Sequence, residues 1–151
     1  MTPYYSSVGR ILALELQAQD WLGTPFFPNS QAKHRGVSCH KLAAALYRDS
    51  GWMDLDVPDV PMSHARFSRV SLVEQWLDGR PEFAMSYQSQ WQPGDLLGFR
   101  INKTVHHVGV MLTGDRFVHC IEGVGTQFGN IFDATWASRL ARVWTPLEVA
   151  T

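Results

Sequence analysis

Cys39 stands in G-V-S-C-H-K-L, directly behind Ser38 and at the head of an apolar run. With Ser38 as N-cap, the thiol falls in the first turn of a helix, near the positive end of its dipole and beside unpaired backbone N–H groups. That placement favours thiolate over thiol, and the same N–H groups offer a hole for the oxyanion of a tetrahedral intermediate. The plain alternative is a small buried apolar residue. A thiolate nucleophile needs a base, usually a histidine oriented by a third polar group. Of six histidines, His107 lies in H-H-V-G-V-M-L, where Gly109 is expected to leave an open face beside the imidazole. His119 lies in R-F-V-H-C-I-E; alternation sends Val118 and Cys120 to one side and isolates His119 on a face that Phe117 and Ile121 mark as apolar.

The intervening turn decides whether the two imidazoles meet. If T-G-D is a three-residue hairpin loop, Leu112 pairs with Arg116, Gly109 lies opposite His119, and His107 and His119 are diagonal neighbours on one face. If Gly114-Asp115 alone forms the loop, the register slips by one and they point to opposite faces. The chemistry requires the odd-numbered loop.

Helical spacing from Val8 through Leu22 predicts a first helix over about 7–22, with Val8, Ile11, Leu12, Leu14, Leu16, Ala18, Trp21 and Leu22 as its apolar set. Gly23, Pro25, Pro28 and Asn29 break it into a loop running to Arg35. The second helix runs from Ser38 to a C′ glycine at Gly51, buried on most sides through Leu42 to Leu46. Residues 54–66 read as irregular, and Ser71-Leu72-Val73-Glu74 has capping-box spacing for a third helix carrying Trp76 and Leu77. Beyond residue 82 strands dominate: 83–87, then the turn W-Q-P-G-D closed by Asp95, 96–99, 105–112, 117–121, a short helix near 134–140 and a last strand near 141–144. Helices first and an antiparallel sheet second make an α+β domain. Trp21, Trp76 and Trp136 are expected in core positions, Trp52 and Trp91 at the surface.

The length of 151 residues suits one domain spanning 1–151, and 45% hydrophobic against 18% charged residues is ample for a core. A net charge of −1 with no local basic patch argues against a nucleic-acid partner. No apolar run approaches a membrane span, and the start M-T-P-Y-Y-S-S-V-G-R lacks the order of a secretory signal. The expectation is therefore synthesis in the cytoplasm without membrane insertion, with any work outside the cell reached by release or another non-classical route. Two cysteines in dissimilar settings, Cys39 and Cys120, read as free thiols.

Taken in order, G-V-S-C-H-K-L, W-Q-P-G-D-L-L-G-F-R, H-V-G-V-M-L and F-V-H-C resemble the NlpC-type cell-wall cysteine peptidases, a papain-like family, over about Leu12 to Trp144. The resemblance implies a papain-like fold with the nucleophile at the start of the central helix. It assigns Cys39 as nucleophile, His107 as general base and His119 as the residue that orients it, and it makes L-G-T-P-F-F, with Phe26 and Phe27, a wall of the cleft. Ser38, His40 and His106 border the same site. Members usually carry aspartate before the cysteine and Ser-Gly after it, where this chain has Ser38, His40 and Lys41; they commonly carry tyrosine at Phe26 and glycines at Asn29 and Ser30. Loss of the tyrosine hydroxyl removes an oxyanion or substrate contact. The implied reaction is hydrolysis of an amide bond in peptidoglycan stem peptides, next to a D-γ-glutamyl residue, with no metal or other cofactor. A sequence read without a signal or a separate wall-binding module suits a phage- or tail-associated enzyme or an exported toxin.

Two other readings compete. Cys39, His40, His106, His107, His119 and Cys120 contain enough ligands for a tetrahedral zinc site, although adjacent strand residues diverge and a short C-x-x-C spacing is missing. The altered residues around Cys39 also suit a catalytically inactive peptide-binding or phage-tail assembly module of the same fold. His34, Arg35 and His64 fall in loops that border a cleft or simply face solvent.

Overall fold

A computed structural model describes residues 2–61, 71–87 and 90–149, with the backbone only at position 87; His64 lies outside the described residues. Ser7 caps α1 (Val8–Trp21) by accepting from the Arg10 N–H at 3.2 Å. Its buried face is Leu14, Ala18 and Trp21 alone, spaced i, i+4, i+7, so Val8, Leu12 and Leu16 of the expected apolar set fall on the opposite side and are exposed. Within the expected loop a small antiparallel ribbon forms from β1 (Gln31–Ala32) and β2 (Gly36–Val37). It delivers the chain to α2 (Cys39–Asp49), buried from Leu42 through Tyr47 and followed by Gly51 at φ +101°. Ser71 starts α3 (Leu72–Asp78) by accepting from the Glu74 N–H at 3.0 Å.

The main sheet is built from β3 (Phe83–Tyr87), β4 (Leu96–Ile101), β5 (Thr104–Met111), β6 (Arg116–Ile121), β7 (Gly125–Asn130) and β8 (Leu140–Pro146), ordered β3-β8-β4-β5-β6-β7 with every pairing antiparallel. Alternation divides the strands between two cores. Val108, Val110, Leu112, Val118 and Cys120 face the large core that holds α1 and α2; Leu97, Phe99, Met111 and Phe117 face a smaller one. The short α4 (Ala134–Arg139) lies over the smaller core through Trp136. Trp52, expected at the surface, is buried because its indole N–H reaches the Leu147 carbonyl at 2.8 Å, while Trp91 is half-buried with its ring on Phe132.

The W-Q-P-G-D turn is closed as expected: Asp95 accepts from the Gln92 N–H at 2.9 Å and, through its backbone, from the Met111 N–H. Its other carboxylate oxygen is buried without a partner, and burial pushes the acid up to about 6. The folded protein therefore holds this proton more tightly than the unfolded chain, and stability falls by about 3 kcal/mol as pH rises from the unfolded to the folded value. Asp95→Asn keeps an acceptor and cannot ionise. Its melting temperature relative to wild type is expected to rise between about pH 3.8 and about pH 6; an offset independent of pH would contradict the assignment.

Candidate active site

Cys39 is the first residue of α2, and α2 packs against β5 and β6. Those strands pair only near their turn, at Val110↔Val118 and Met111↔Phe117, with the Leu112 N–H bonded to the Arg116 carbonyl at 2.9 Å. Thr113, Gly114 and Asp115 thus form the three-residue loop, which is the register the chemistry requires. A bulge lies on the other flank of β5, where Phe99↔His107 is followed by Arg100↔Val105. Cys39 belongs to the large core, whereas His107 and His119 lie against Phe99, Phe117 and Trp136 of the smaller one. Sulfur and imidazoles come together where the β5–β6 ladder has stopped.

His107 Nε2 lies 2.7 Å from His119 Nδ1, and Trp136 stacks on the His107 ring at 5.2 Å. Gly109 does not leave open space: a Cβ there would meet Phe117 Cδ2 at 2.8 Å and the Val118 carbonyl at 3.1 Å. The glycine is needed because the Phe117 ring fills that side. His119 has no exposed surface; burial first, and then the adjacent His107, lower its pKa to about 3, so it is neutral at physiological pH. A neutral His119 with its proton on Nε2 presents the Nδ1 lone pair to a His107 N–H. Its Nε2 is buried without a partner.

Burial of Cys39 opposes ionisation, but the His40 and His107 imidazoles outweigh it and hold the thiol well below its usual value. The helix dipole acts in the same direction. Ser38 occupies the N-cap position, yet its side chain makes no capping bond and its buried hydroxyl has no partner. The hydroxyl therefore leaves the first-turn N–H groups of α2 to other acceptors.

A cleft of about 290 Å³ opens over the sulfur, lined by Phe26, Ser38, Cys39, His40, His106 and His107 among others. Phe27 is not part of it: the ring is 63% exposed and its Cβ sits over Gly36, because the parallel bridge Phe26↔Val37 turns neighbouring side chains to opposite sides. His106 is buried and bonded to Thr104. His34 and Arg35 are exposed, and His34 faces Asp20 rather than the cleft. The reading from sequence missed Trp136 and Arg139 as cleft residues; Trp136, expected as core, is half-buried with its ring on the base. The zinc constellation does not assemble. Cys120 turns to the Val37 carbonyl at 3.3 Å and His119 to His107, and among the described residues no three His, Cys, Asp or Glu are grouped to hold a metal ion.

The sequence model of the NlpC/P60 family matches residues 23–145, a stretch that contains the cysteine, both imidazoles and the closing strand. The chain belongs to the NlpC/P60 family. Solved structures share the fold of this NlpC/P60 domain. A protein from Staphylococcus aureus described as similar to lipoprotein, NLP/P60 family, superposes with a TM-score of 0.68 at 19% identity, over 99% of this chain and 45% of its own. The NlpC/p60 domain of the peptidoglycan hydrolase SagA gives 0.57 at 17% identity, over 91% of this chain and 98% of its own. The peptidoglycan hydrolase RipB from Mycobacterium tuberculosis gives 0.57 at 15%, over 98% and 69%. At such identities the likeness is one of fold, and the chain spans under half the length of the staphylococcal protein. No curated protein sequence matches the chain.

Proposed function

We propose that this NlpC/P60 domain is a thiol hydrolase of peptidoglycan stem peptides, with Cys39 as nucleophile, His107 as general acid–base and His119 as the residue that orients it. The observation that carries the reading is the 2.7 Å His107–His119 contact in a buried pair whose other imidazole face meets a thiol at a helix start. In acylation the Cys39 thiolate attacks the scissile carbonyl and the carbonyl oxygen draws on the first-turn N–H groups of α2. His107, protonated by the thiol, then passes that proton to the leaving amine. In deacylation His107 takes a proton from water, hydroxide adds to the thioester, and the acid leaves as the proton returns to sulfur. His119, neutral throughout, keeps the His107 ring turned towards the sulfur.

The substrate proposed is the amide bond that follows a D-γ-glutamyl residue, and the setting a phage- or tail-associated wall hydrolase. Family membership and the names of the structural neighbours support the wall polymer. Synthetic stem peptides test the bond. The expected result is cleavage of the γ-linked D-glutamyl peptide and at least about tenfold slower cleavage of its α-linked isomer, a difference of about 1.4 kcal/mol in transition-state binding; equal rates would overturn the specificity. The setting is checked by following the protein during host lysis, where association with virion particles is the expected outcome and a purely periplasmic pool the contrary one.

A further inference from the structure

Next to the sulfur stands a titratable side chain that the mechanism above leaves without a task. His40 follows Cys39 in the first turn of α2, its ring is within hydrogen-bonding reach of the Cys39 sulfur, and both line the same cleft. His40 lines both the cleft over the sulfur and an apolar cavity of about 370 Å³ between α2 and α3, and so stands as the wall between them. The His106 carbonyl, 3.8 Å from the sulfur, also faces the His40 ring, while the ring's Nε2 is buried with no partner. This carbonyl accepts from a ring N–H, which keeps a proton on the nitrogen that faces it and helps to raise the pKa of the ring.

We propose that His40 is a further catalytic residue of this site, a cationic imidazole seated against the Cys39 sulfur that stabilises the thiolate independently of His107. The inference rests on the assignment of Cys39 as nucleophile. It separates two tasks: His40 supplies fixed positive charge, and His107, engaged by His119, remains the group that moves the proton. No bond is made or broken at His40, whose extra proton comes from solvent. The resting site then holds the His40 and His107 rings around one thiolate, an arrangement in which each ring offsets the burial of the sulfur's charge.

The groups facing His40 agree with a positive ring. From its own helix comes Lys41, but that ammonium is drawn away to the Val57 carbonyl at 2.6 Å and to Asp59 at 3.1 Å. Asp59, from the stretch before residue 61, lines the apolar cavity with His40 and adds negative charge. From β5 come the His106 carbonyl and His107; α3 contributes the uncharged Gln75 to the cavity. Burial of the ring is the largest influence and lowers its pKa, but the charge of Cys39, the hydrogen bond to it and the His106 carbonyl together outweigh burial and Lys41 and raise the His40 pKa. The serine usual here in the family carries no charge at all, so this feature belongs to the present chain.

The test is the pH profile of iodoacetamide alkylation at Cys39, with the label located by peptide mass so that Cys120 is read separately. His40→Gln and His40→Ser are expected to move the inflection upward by about one unit or more, which is at least about fivefold slower labelling at the pH of the wild-type midpoint. His107→Ala removes the other imidazole beside the sulfur and is expected to move the inflection upward by less than His40→Gln does. Profiles of His40→Gln and wild type that superimpose, or a His107→Ala profile like that of a free thiol, would overturn the proposal. If substitution at 40 unfolds the protein, histidine ring NMR of the wild type and Cys39→Ser decides the matter. The His40 ring should lose its charge at lower pH once the sulfur is gone, and unchanged titration would overturn it. Alkylation needs no peptidoglycan, so a failure of the substrate assignment and a failure of this role are read in different assays.

Discussion

Replacing His107 with alanine is expected to lower the rate of peptide hydrolysis by about 10⁴, at the upper end of what a positioned acid–base group contributes. The size follows from its double duty in the proposed mechanism, proton donor to the amine in acylation and base towards water in deacylation. Either step alone would stall. The fold should survive, because the ring's neighbours besides Cys39 are the rings of Phe99 and Trp136 at 5.2–5.8 Å and that of His119 at 5.0 Å, and removal leaves a gap against Trp136. Circular dichroism should overlay the wild type while turnover disappears. A variant that retains a tenth of the activity would show that another group moves the proton.

Gly109→Ala is expected to damage activity strongly although residue 109 does no chemistry. The added methyl would stand 2.8 Å from Phe117 Cδ2, 3.1 Å from the Val118 carbonyl and 3.4 Å from His119 Cβ. The first neighbour is a fully buried ring and the second is backbone of the paired strand, so neither yields cheaply. Relief requires β6 to move away from β5. Overpacking of this kind costs about 1–3 kcal/mol, and the movement carries His119 off His107. Hydrolysis is expected to fall at least about 10²-fold, as misplacement of about 1 Å can produce, with the melting temperature lowered in parallel. Wild-type activity in Gly109→Ala would mean that the His107–His119 contact is not needed for turnover.

Local chemistry made much of this molecule readable from its residues. Ser71 caps its helix by the bond its spacing suggests, Asp95 closes its turn, and alternation correctly sent Val118 and Cys120 away from His119. Ser38 shows where such reasoning stops. It has the right type and position, yet the ribbon before it leaves its hydroxyl buried and unbonded. The length of the β5–β6 loop was open because both alternatives satisfy the hairpin locally. Its tip is held by Glu15 of α1, which accepts from the Thr113 N–H at 2.7 Å and from Arg116 at 2.8 Å, partners about a hundred residues away in the chain. Strand β7 escaped notice for a related reason. Its G-T-Q-F-G-N has no apolar alternation, and Gly129 is present because the Phe117 ring and His119 Nε2 occupy the space of a Cβ. Trp136 joins the cleft only when α4 folds across the sheet.

The central claim is that one sulfur, served by two imidazoles, breaks a bond in the cell-wall polymer. Purified sacculi incubated with wild type and with Cys39→Ser, followed by mass spectrometry of the soluble fraction, test it most directly. The account predicts stem-peptide fragments ending at one bond from the wild type and none above background from Cys39→Ser, a loss of about 10⁴ or more. Equal fragment release by the two proteins, or no fragments from wild type whose Cys39 is alkylated rapidly at neutral pH, would contradict it.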